Sequence, residues 1–353
     1  MTRVISILKQ ALYKPIGIYH SYISGLKRKK TLSKKPKIYL LNVPTHGNLG
    51  DHLISVAEQK FLKDKCPDYE VICITSSELY YSISFALLSV QPKDILCITG
   101  GGFLGSMYDE ERRFIKITKK FKQNKVIIFP QTIFYEVGTN GRKALNTAKE
   151  AYSNHQNLFV MAREKATYDL LKTELMNGKE DKIALTPDIA LYLHEERKMP
   201  RKYVLWCLRN DGEVNSNNHN LIKKAKSYIL KYDIPQKETD TYIPHFIPLE
   251  NEKKEVENKI NEFAKSRMVI TDRLHGMIYA VITGTPVVAL NNHNGKVEQV
   301  YSSWLSDNPY VKFVSDIKDI EPAIHLLMNV KNMVYDNSKI VSRLTPIIEA
   351  IYA

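Results

Sequence analysis

The sequence contains no apolar run of about 18 residues, so no segment is long enough to cross a bilayer as a helix. A short apolar stretch near the start lacks a small-residue cleavage site, and we do not interpret it as a signal peptide. Cysteine is also rare, with only four in 353 residues and no CxxC or Cys/His spacing. We therefore exclude a disulfide framework and expect buried, reduced thiols in a cytoplasmic protein, at Cys66, Cys73, Cys97 and Cys207.

Acidic residues are missing from the first 37 positions, although these positions hold ten lysines and arginines. The whole chain has a formal net charge of +13, so the remaining residues contribute only +3. A globally basic nucleic-acid-binding protein would spread its charge over the fold, whereas here the excess is confined to one end. The sequence therefore predicts no nucleic-acid partner.

Residues 1–36 form a basic N-terminal tail in which apolar residues recur at helical spacing. One interpretation is an amphipathic helix on an anionic membrane surface, where each basic residue contributes about 1 kcal/mol of binding. The alternative is a helix that packs on the folded body and is followed by a solvated linker. Pro15 would kink either helix. The apolar stripe consists of Ile5, Leu8, Leu12, Ile16, Tyr19 and Ile23.

From residue 37 onward, short β-branched runs alternate with helical patterns. Because the runs are continuously apolar, they predict parallel sheets covered by helices on both faces. A polar stretch at 193–202 interrupts the alternation and is the candidate linker. We therefore predict an α/β protein with two Rossmann-like domains, residues 37–195 and 196–353, facing a central cleft. The predicted strands are 37–43, 70–75, 94–100, 125–131, 158–164 and 182–191, then 202–210, a strand near 241–246, 268–272 and 286–292.

A glycine-containing turn, PTHGNLGDHLI (44–54), follows the first predicted strand and opens a helix. In open α/β sheets, ligands bind at this edge. Gly47 and Gly50 permit close backbone approach, and the N–H groups of the helix N-terminus suit an anion. Asp51 has two interpretations, as a cap of the helix or as a base for a substrate hydroxyl.

Two further turns follow strands of the first predicted domain. In TGGGFLGSMY (99–108), glycines including Gly101 and Gly102 can form a backbone N–H concavity for phosphate or carboxylate, although glycine runs also make plain tight turns. In FPQTI (129–133), Gln131 ends an apolar strand and is expected to face the cleft.

Three predicted strands end in arginine, at Arg163, Arg209 and Arg273. An unpaired buried guanidinium is costly, so an arginine at the end of a buried strand usually meets an anion, either a ligand or the carboxylate of a structural salt bridge. Three such arginines beside one cleft indicate a ligand with phosphate and carboxylate groups, both of which suit bidentate pairing.

The densest cluster of polar residues is ITDRLHGMIYAVITGTPVVAL (270–290), which begins at a strand-to-helix turn. His275 lies at a helix N-terminus, where the dipole disfavours its cationic form unless an anion is bound nearby. Beside a phosphate it could be protonated and act as a general acid. The other interpretation is a capping or packing histidine, and Arg273 two positions earlier favours function.

Several of these segments resemble the polysaccharide pyruvyl transferase family. They occur in the family's order and span roughly residues 42–300, leaving out the basic tail and the last fifty residues. The Arg273-Leu274-His275 unit is the most specific of them. The matching segments are HGNLGDHLI, TGGGFLGSMY, PQTI, VMAREKATYD, TPDIAL and TDRLHGMIYAVITGTPVVALNN, followed by Lys296.

The resemblance implies a fold similar to GT-B glycosyltransferases, with phosphoenolpyruvate as donor and a glycan as acceptor, in exopolysaccharide or capsule synthesis. The expected donor-binding groups are Arg163, Arg273 and His275, with Arg209, Lys296 and the backbone of Gly101 and Gly102 as helpers. The expected acceptor-side groups are His46, Asn48, Asp51 and Gln131. We predict His275 as the acid and Asp51 as the base.

The sequence shows neither HExxH nor a DxD pair in a suitable loop, so we expect no metal, and no cofactor beyond phosphoenolpyruvate as co-substrate. Two other functions stay open at this point, a glycosyltransferase that uses a nucleotide sugar and a non-catalytic anion- or glycan-binding protein. The basic tail favours a lipid-linked oligosaccharide as acceptor, at the inner face of the cytoplasmic membrane.

Overall fold

Continuous apolar runs form two parallel β-sheets in the computed structural model. The structure describes residues 2–211, 214–330 and 334–353, with side chains from residue 14 onward. The strands of the first sheet are β1 (Lys37–Val43), β2 (Glu70–Thr75), β3 (Ile95–Ile98), β4 (Gly101–Gly105), β5 (Lys125–Phe134), β6 (Leu158–Ala162) and β7 (Ile183–Leu185). Their order is β2-β1-β3-β5-β6-β7, and β4 pairs with the C-terminal part of β5.

The second sheet has five parallel strands. They are β8 (Tyr203–Cys207), β9 (Gln236–Thr239), β10 (Ser266–Thr271), β11 (Val287–Ala289) and β12 (Val311–Phe313). Their order, β12-β11-β10-β8-β9, requires a crossover connection between most neighbouring strands. Parallel pairing of this kind needs helical crossovers, and the chain supplies them.

Helices cover the sheets on both faces. They are α1 (Thr2–Thr31), α2 (Leu49–Lys65), α3 (Ser76–Tyr81), α4 (Ile83–Ala86), α5 (Glu110–Lys120), α6 (Thr139–Ser153), α7 (Lys165–Leu170), α8 (Asn218–Ile229), α9 (Leu249–Ala264), α10 (Leu274–Ile282), α11 (Lys296–Val300), α12 (Ile320–Asn329), α13 (Ser338–Arg343) and α14 (Thr345–Tyr352). Alternate residues of β1 show the two-sided burial, because Ile38 and Leu40 join a core that continues into the second sheet, whereas Tyr39 and Leu41 join a core on the opposite face.

The two halves are joined by buried polar contacts as well as by apolar packing. Nδ1 of His52 in α2 lies 2.9 Å from Oε1 of Glu252 in α9, and Gln59 donates a 2.8 Å hydrogen bond to the same carboxylate. The chain end returns to the first half, where Lys125 donates to the carbonyl of Ile351. The sequence assigned residues up to 353 to the second domain, so it did not anticipate this return.

Three details of the predicted strand pattern are wrong. Residues 241–246 form a loop, and the strand of that region is β9. Apolar residues in the loop suggested a strand, but its backbone groups bond to the first half instead. The predicted strand 182–191 is cut short, because Asp188 caps the turn that follows β7 by accepting from the amide of Ala190. The sequence also missed β4 and β12.

Among the described residues no helix is long and apolar enough to cross a membrane. The N-terminal helix α1 runs without interruption through Pro15 and packs on α3 and α4. All four cysteines carry free thiols, and burial raises the pKa of the Cys207 thiol to about 12.

Candidate active site

A cleft of about 890 Å³ lies at the carboxyl ends of the strands, between the two halves. More than half of the residues that line it come from segments singled out in the sequence, and most of the others come from α3, the start of α5 and the 240s loop. The predicted site residues on its wall are His46, Asn48, Asp51, Gly102, Arg163, Arg209, Arg273, His275 and Lys296. Gly101 and Gln131 are not among the lining residues.

The turn before α2 supplies a linked set of polar side chains. Asn48 is the N-cap, since its Oδ1 accepts from the amide of Gly50 at 3.0 Å, so Asp51 does not cap the helix. The Asn48 amide also donates to Oδ2 of Asp51 at 2.9 Å, and Nε2 of His46 lies 3.6 Å from the same oxygen. This leaves the Asp51 carboxylate oriented and partly exposed at the cleft wall.

The same turn is hydrogen-bonded to the second half of the chain. The amide of Leu49 donates to the carbonyl of Thr241 at 2.7 Å, and the amide of Ile243 donates to the carbonyl of Gly47 at 2.8 Å. A Cβ on Gly47 would collide with the carbonyl of Ile243, so the close approach requires glycine. The first half is therefore held directly against the 240s loop at the site.

Gly50 has a different role, because it allows α10 to approach. A Cβ at Gly50 would lie 2.6 Å from Cγ of His275, well inside contact distance. The ring of His275 thus lies against the backbone of the α2 turn, with its Nε2 directed away toward Asp188. Gly276 serves packing in the same way, since a Cβ there would strike Thr271 of β10.

The glycine run continues into β4 and does not form a free turn. Gly101 has φ of 140° and pairs with Gln131 in the sheet, and the amide of Gly100 donates to the buried carboxyl of Glu58 at 2.6 Å. Gln131 itself is fully buried and donates to the carbonyl of Thr99 at 2.7 Å. Because it braces this strand from inside, it does not face the cleft as expected.

Arg163 follows β6 and is 1% exposed. Its Nε donates to Oγ1 of Thr132 and its Nη1 to Oδ2 of Asp188, both at 2.8 Å. Its Nη2 lies only 3.0 Å from the position that a Cβ on Gly102 would occupy, so glycine there opens the guanidinium edge to the cleft wall. This arginine is thus fixed in orientation before any ligand binds.

Asp188 is a buried carboxylate that the sequence reading did not single out, although it lies in the TPDIAL segment. It contacts Arg163 as described, and its Oδ2 lies 3.6 Å from Nε2 of His275, beyond hydrogen-bond length. Burial alone would raise the pKa of Asp188, but the neighbouring His275 and Arg163 outweigh it and hold that pKa well below its usual range. Asp188 is therefore ionised and links the two residues predicted to bind the donor.

Two aspartates that the sequence reading missed contact the remaining arginines. Arg273 donates to Oδ2 of Asp211 at 3.1 Å and to Oδ2 of Asp240 at 2.7 Å, while Nε of Arg209 donates to Oδ1 of Asp211 at 2.9 Å. Burial disfavours the charged form of Arg273, but Asp240 outweighs this and raises its pKa further. The signal available in the sequence was the position of Asp240, directly after a strand end.

An aromatic rim, defined here as Tyr80, Tyr81, Phe103, Tyr108 and Tyr242, surrounds the cleft. Three of its members are about half exposed or more, namely Tyr80, Tyr108 and Tyr242. Exposed aromatic faces with polar edges suit the stacking of a sugar ring. Phe103 and Tyr108 belong to a segment that was singled out for its glycines only, and the other three members come from segments without a motif, so sequence reasoning missed the rim.

Asn42 also lines the cleft and has φ of 70°, where β1 bulges. A non-glycine residue in this region is uncommon and marks local strain, which often occurs at functional sites. Among the residues that the structure describes, no group of three or more His, Cys, Asp or Glu side chains could hold a metal ion.

Residues 48–294 match the family described as polysaccharide pyruvyl transferase, which covers most of the chain. The chain belongs to the polysaccharide pyruvyl transferase family. Membership supports a transferase and confirms the resemblance seen in the sequence. General stress protein 30 of Bacillus subtilis is 33% identical over 316 residues, covering 87% of this chain and 90% of that protein. Pyruvyl transferase 1 of Schizosaccharomyces pombe is 27% identical over 333 residues, covering 88% of this chain and 78% of that protein.

A solved structure with a similar fold is the UDP-GlcNAc 2-epimerase of Methanocaldococcus jannaschii in complex with UDP-GlcNAc and UDP. The TM-score is 0.50 at 14% identity, covering 90% of this chain and 100% of that chain. At this identity the likeness shows the fold alone. It confirms the predicted architecture of this pyruvyl transferase family member, two Rossmann-like domains facing a cleft.

Proposed function

We propose that the protein transfers pyruvate from phosphoenolpyruvate to a sugar, forming a cyclic ketal and releasing phosphate. The observation that supports this most directly is the Arg163–Asp188–His275 group in the wall of the cleft, in a chain of the pyruvyl transferase family. A buried arginine beside a histidine and a carboxylate can bind an anion and deliver a proton at the same point. A transferase that uses phosphoenolpyruvate requires both an anion-binding group and a proton donor.

The reaction follows from the chemistry of an enol phosphate. Protonation of C3 gives a methyl group and leaves C2 as an oxocarbenium-like electrophile. One sugar hydroxyl adds to C2, the bond from C2 to the phosphate oxygen breaks, and a second hydroxyl of the same sugar closes the ketal. The two hydroxyl protons balance the proton taken up at C3 and the proton that leaves with phosphate. The enzyme must therefore supply an acid, a base and cations for the phosphate.

We assign the acid role to His275. Its Nε2 faces the ionised Asp188 at 3.6 Å. The ring edge that carries Nδ1 lies against Gly50, so the imidazole cannot rotate freely away from this contact. A histidine oriented by a buried carboxylate is a common arrangement for proton transfer.

We assign the binding of the donor anion to the arginines. Arg163 is oriented by Thr132 and Asp188 and presents its Nη2 edge beside Gly102. Arg273 and Arg209 line the same cleft from the second half of the chain, and both donate to Asp211. Donor phosphate would take over contacts that the Asp211 carboxylate makes in this structure, since carboxylate and phosphate both suit an arginine fork. Lys296, at the start of α11, lies on the same cleft and would add a further cation.

We assign the acceptor to the side of the cleft formed by the α2 turn and the aromatic rim. Asp51 is the proposed base, oriented by its hydrogen bond from Asn48 and by His46. The exposed rings of the rim can stack on the apolar face of a sugar while Asp51 accepts a hydroxyl proton. The acceptor is therefore a glycan that contributes two hydroxyls of one residue.

The family description supports a polysaccharide as the destination of the pyruvate. We propose a polysaccharide precursor, free or lipid-linked, in exopolysaccharide or capsule synthesis. The reaction would take place in the cytoplasm, at the inner face of the cytoplasmic membrane if the acceptor is carried on a lipid. This location rests on the basic N-terminal helix.

The test is turnover with phosphoenolpyruvate and a panel of short glycan acceptors, free and lipid-linked, following phosphate release and acceptor mass together. His275→Gln should lower the rate at least ~100-fold, as expected for loss of a general acid. His194→Gln is the matched control, since His194 also faces a carboxylate, that of Glu196 at 3.7 Å, but lies outside the cleft. This control should keep full activity.

Two outcomes would contradict the proposal. If no acceptor is modified and calorimetry detects no binding of phosphoenolpyruvate, the donor is wrong, and a nucleotide sugar should be tested in its place. If phosphoenolpyruvate binds tightly while every acceptor fails to release phosphate, the protein is an anion- or glycan-binding protein and not a transferase.

A further inference from the structure

The N-terminal helix α1 packs on the body through its small residues. Gly17, Ser21 and Gly25 recur every fourth position, so they share one helix face, and all three are buried. A Cβ on Gly17 would collide with the ring of Tyr81, and one on Gly25 would collide with the carbonyl of Phe85. The small residues therefore allow the helix backbone to lie directly on α3 and α4.

Polar contacts to α3 and α4 fix this packing. Oγ of Ser21 donates to the carbonyl of Glu78 at 3.1 Å, and Arg28 forms a 2.6 Å ion pair with the Glu78 carboxylate. Arg28 also donates to the carbonyl of Ala86 at 3.1 Å. These are specific contacts, so α1 is held in one orientation on the body.

Two large apolar residues of the helix, Ile16 and Tyr19, point away from the body. Ile16 is 52% exposed and Tyr19 is 62% exposed, and Ile23 continues their face at the spacing i, i+3, i+7. Ile23 is half-buried, and Tyr22 next to them is 38% exposed while its ring packs edge-to-face on Phe85 of α4. A helix on the surface of a soluble protein normally buries its bulky apolar stripe and exposes its small and polar residues. Here the small residues face the body and Ile16 and Tyr19 face outward, which is the pattern expected of a face that contacts a further partner.

The charge around this face indicates which partner. Exposed lysines Lys14, Lys27, Lys29 and Lys30 accompany the apolar residues, and the first 37 positions contain no acidic residue. A second copy of the chain would bring the same positive charge against this face and be repelled. An anionic bilayer offers both an apolar interior for the stripe and negative head groups for the lysines, and tyrosine suits the boundary between them.

The position of α1 relates this surface to the cleft. The helix rests on α3, and Ser76, Ser77, Tyr80 and Tyr81 of α3 line the cleft. The ring of Tyr81 contacts α1 at Gly17 and the cleft at the same time. A bilayer bound by α1 would therefore lie next to the aromatic rim.

We propose that the outward face of α1, defined by Ile16, Tyr19, Tyr22 and Ile23 with the lysines around them, binds the surface of an anionic bilayer and brings the rim of the cleft to a lipid-anchored acceptor. Binding to the bilayer stands on the geometry and charge of α1 alone. Delivery of a lipid-anchored acceptor rests on the proposed function. The two parts are tested by separate measurements.

The first measurement is co-sedimentation of the full-length chain with vesicles, either of phosphatidylcholine alone or with a third of phosphatidylglycerol. The protein should bind the anionic vesicles and bind neutral ones far more weakly. The variant Lys27→Gln/Lys29→Gln/Lys30→Gln should bind the anionic vesicles about 100-fold more weakly at low salt. Ile16→Ser/Tyr19→Ser should reduce binding to both kinds of vesicle.

The matched control carries the same change of charge elsewhere, Lys172→Gln/Lys318→Gln/Lys339→Gln, at exposed positions outside α1. It should bind vesicles like the parent chain. Circular dichroism of every variant checks that the helix and the body stay folded. Equal binding by the α1 variants and the parent, or equal loss in the control, would overturn the proposal. A dimer in solution that Ile16→Ser/Tyr19→Ser dissociates would assign the face to a second copy and overturn it as well.

The second measurement compares phosphate release with a free acceptor and with the same glycan on a lipid in anionic vesicles. The α1 variants should lower the rate only with the vesicle-bound acceptor. If the parent chain binds vesicles but releases no phosphate with either acceptor, the proposed function fails while the membrane surface stands. If the variants lower both rates equally, the coupling of α1 to the cleft is wrong.

Discussion

Replacing Asp188 with asparagine removes one negative charge from the centre of the proposed site while keeping the shape of the side chain. The carboxylate is buried and accepts from Nη1 of Arg163 at 2.8 Å and from the amide of Ala190 at 3.0 Å, and it faces His275 at 3.6 Å. After the substitution, the carboxylate that remains in an ion pair with Arg163 among the described residues is that of Glu164, with Oε2 3.8 Å from its Nε. Asp188→Asn thus tests whether this charge organises the donor site.

The expected magnitude follows from the burial of the pair. Removing one partner of a buried ion pair costs about 3–5 kcal/mol, because it leaves the other charge uncompensated. Asparagine can still accept one hydrogen bond, so we expect the lower end, a loss of about 3 kcal/mol in the free energy of unfolding at pH 7. Because the pKa of Asp188 is lowered in the folded state, its stabilisation is present above about pH 4 and is lost as the pH falls further.

Two assays follow from this reasoning. Urea unfolding of the parent and of Asp188→Asn should differ by about 3 kcal/mol at pH 7, and the difference should shrink below about pH 4. Phosphate release at saturating phosphoenolpyruvate should fall by about 100- to 1000-fold, since each factor of ten corresponds to about 1.4 kcal/mol of barrier. A variant that keeps parental stability and turnover at neutral pH would refute the assignment of Asp188 as the charge that orients Arg163 and His275.

Three further substitutions test other parts of the site. Gly50→Ala places a methyl group against the ring of His275. We therefore expect turnover to fall at least ~10-fold and the free energy of unfolding to fall by about 1–3 kcal/mol. A variant with the kinetics of the parent chain would contradict the contact. Asp211→Asn removes the carboxylate that competes with the donor for Arg273. Calorimetry should therefore show that phosphoenolpyruvate binds about 5-fold more tightly to the variant than to the parent chain. Weaker binding would mean that Asp211 positions the arginine. Burial raises the pKa of Glu58 well above its usual range, so ionisation opposes folding as the pH rises, and Glu58→Gln should be more stable than the parent at pH 8. That advantage should vanish near pH 4 in urea titrations, and a less stable variant at pH 8 would contradict it.

The alternation of apolar runs and helical patterns was sufficient to predict the fold class. Strands such as β1 and β6 are buried on both faces, so their sequences are continuously apolar and can be recognised without the structure. The short strand β9 could not be recognised, because its sequence QKET is polar and lies at the edge of the second sheet. The strand β4 was hidden by its glycines, which normally indicate a turn.

The sequence predicted the basic residues of the site better than the acidic ones. Arginines at the ends of buried strands, such as Arg163 and Arg273, are recognisable because few other roles suit them. Their carboxylate partners are separated from them in sequence, as Asp240 is from Arg273, so the pairing depends on the tertiary fold. Gln131 was assigned to the cleft because strand ends usually face ligands, but the pairing of β4 with β5 covers it.

The N-terminal helix illustrates a further limit. Its apolar stripe predicted an amphipathic helix, but the stripe could equally face the body or a membrane. Only the structure shows that Gly17, Ser21 and Gly25 face the body, since small residues carry no hydrophobic signal in the sequence.

The central claim is the transfer of an intact pyruvyl group from phosphoenolpyruvate to a sugar. The most direct test is a reaction with phosphoenolpyruvate labelled with carbon-13 at C3, run in heavy water, followed by nuclear magnetic resonance of the glycan product. The account predicts a labelled methyl group on a ketal carbon bonded to two oxygens of one sugar, carrying one deuteron from the solvent, with one phosphate released per ketal. A glycan without label, or labelled pyruvate released free while the acceptor stays unchanged, would contradict it.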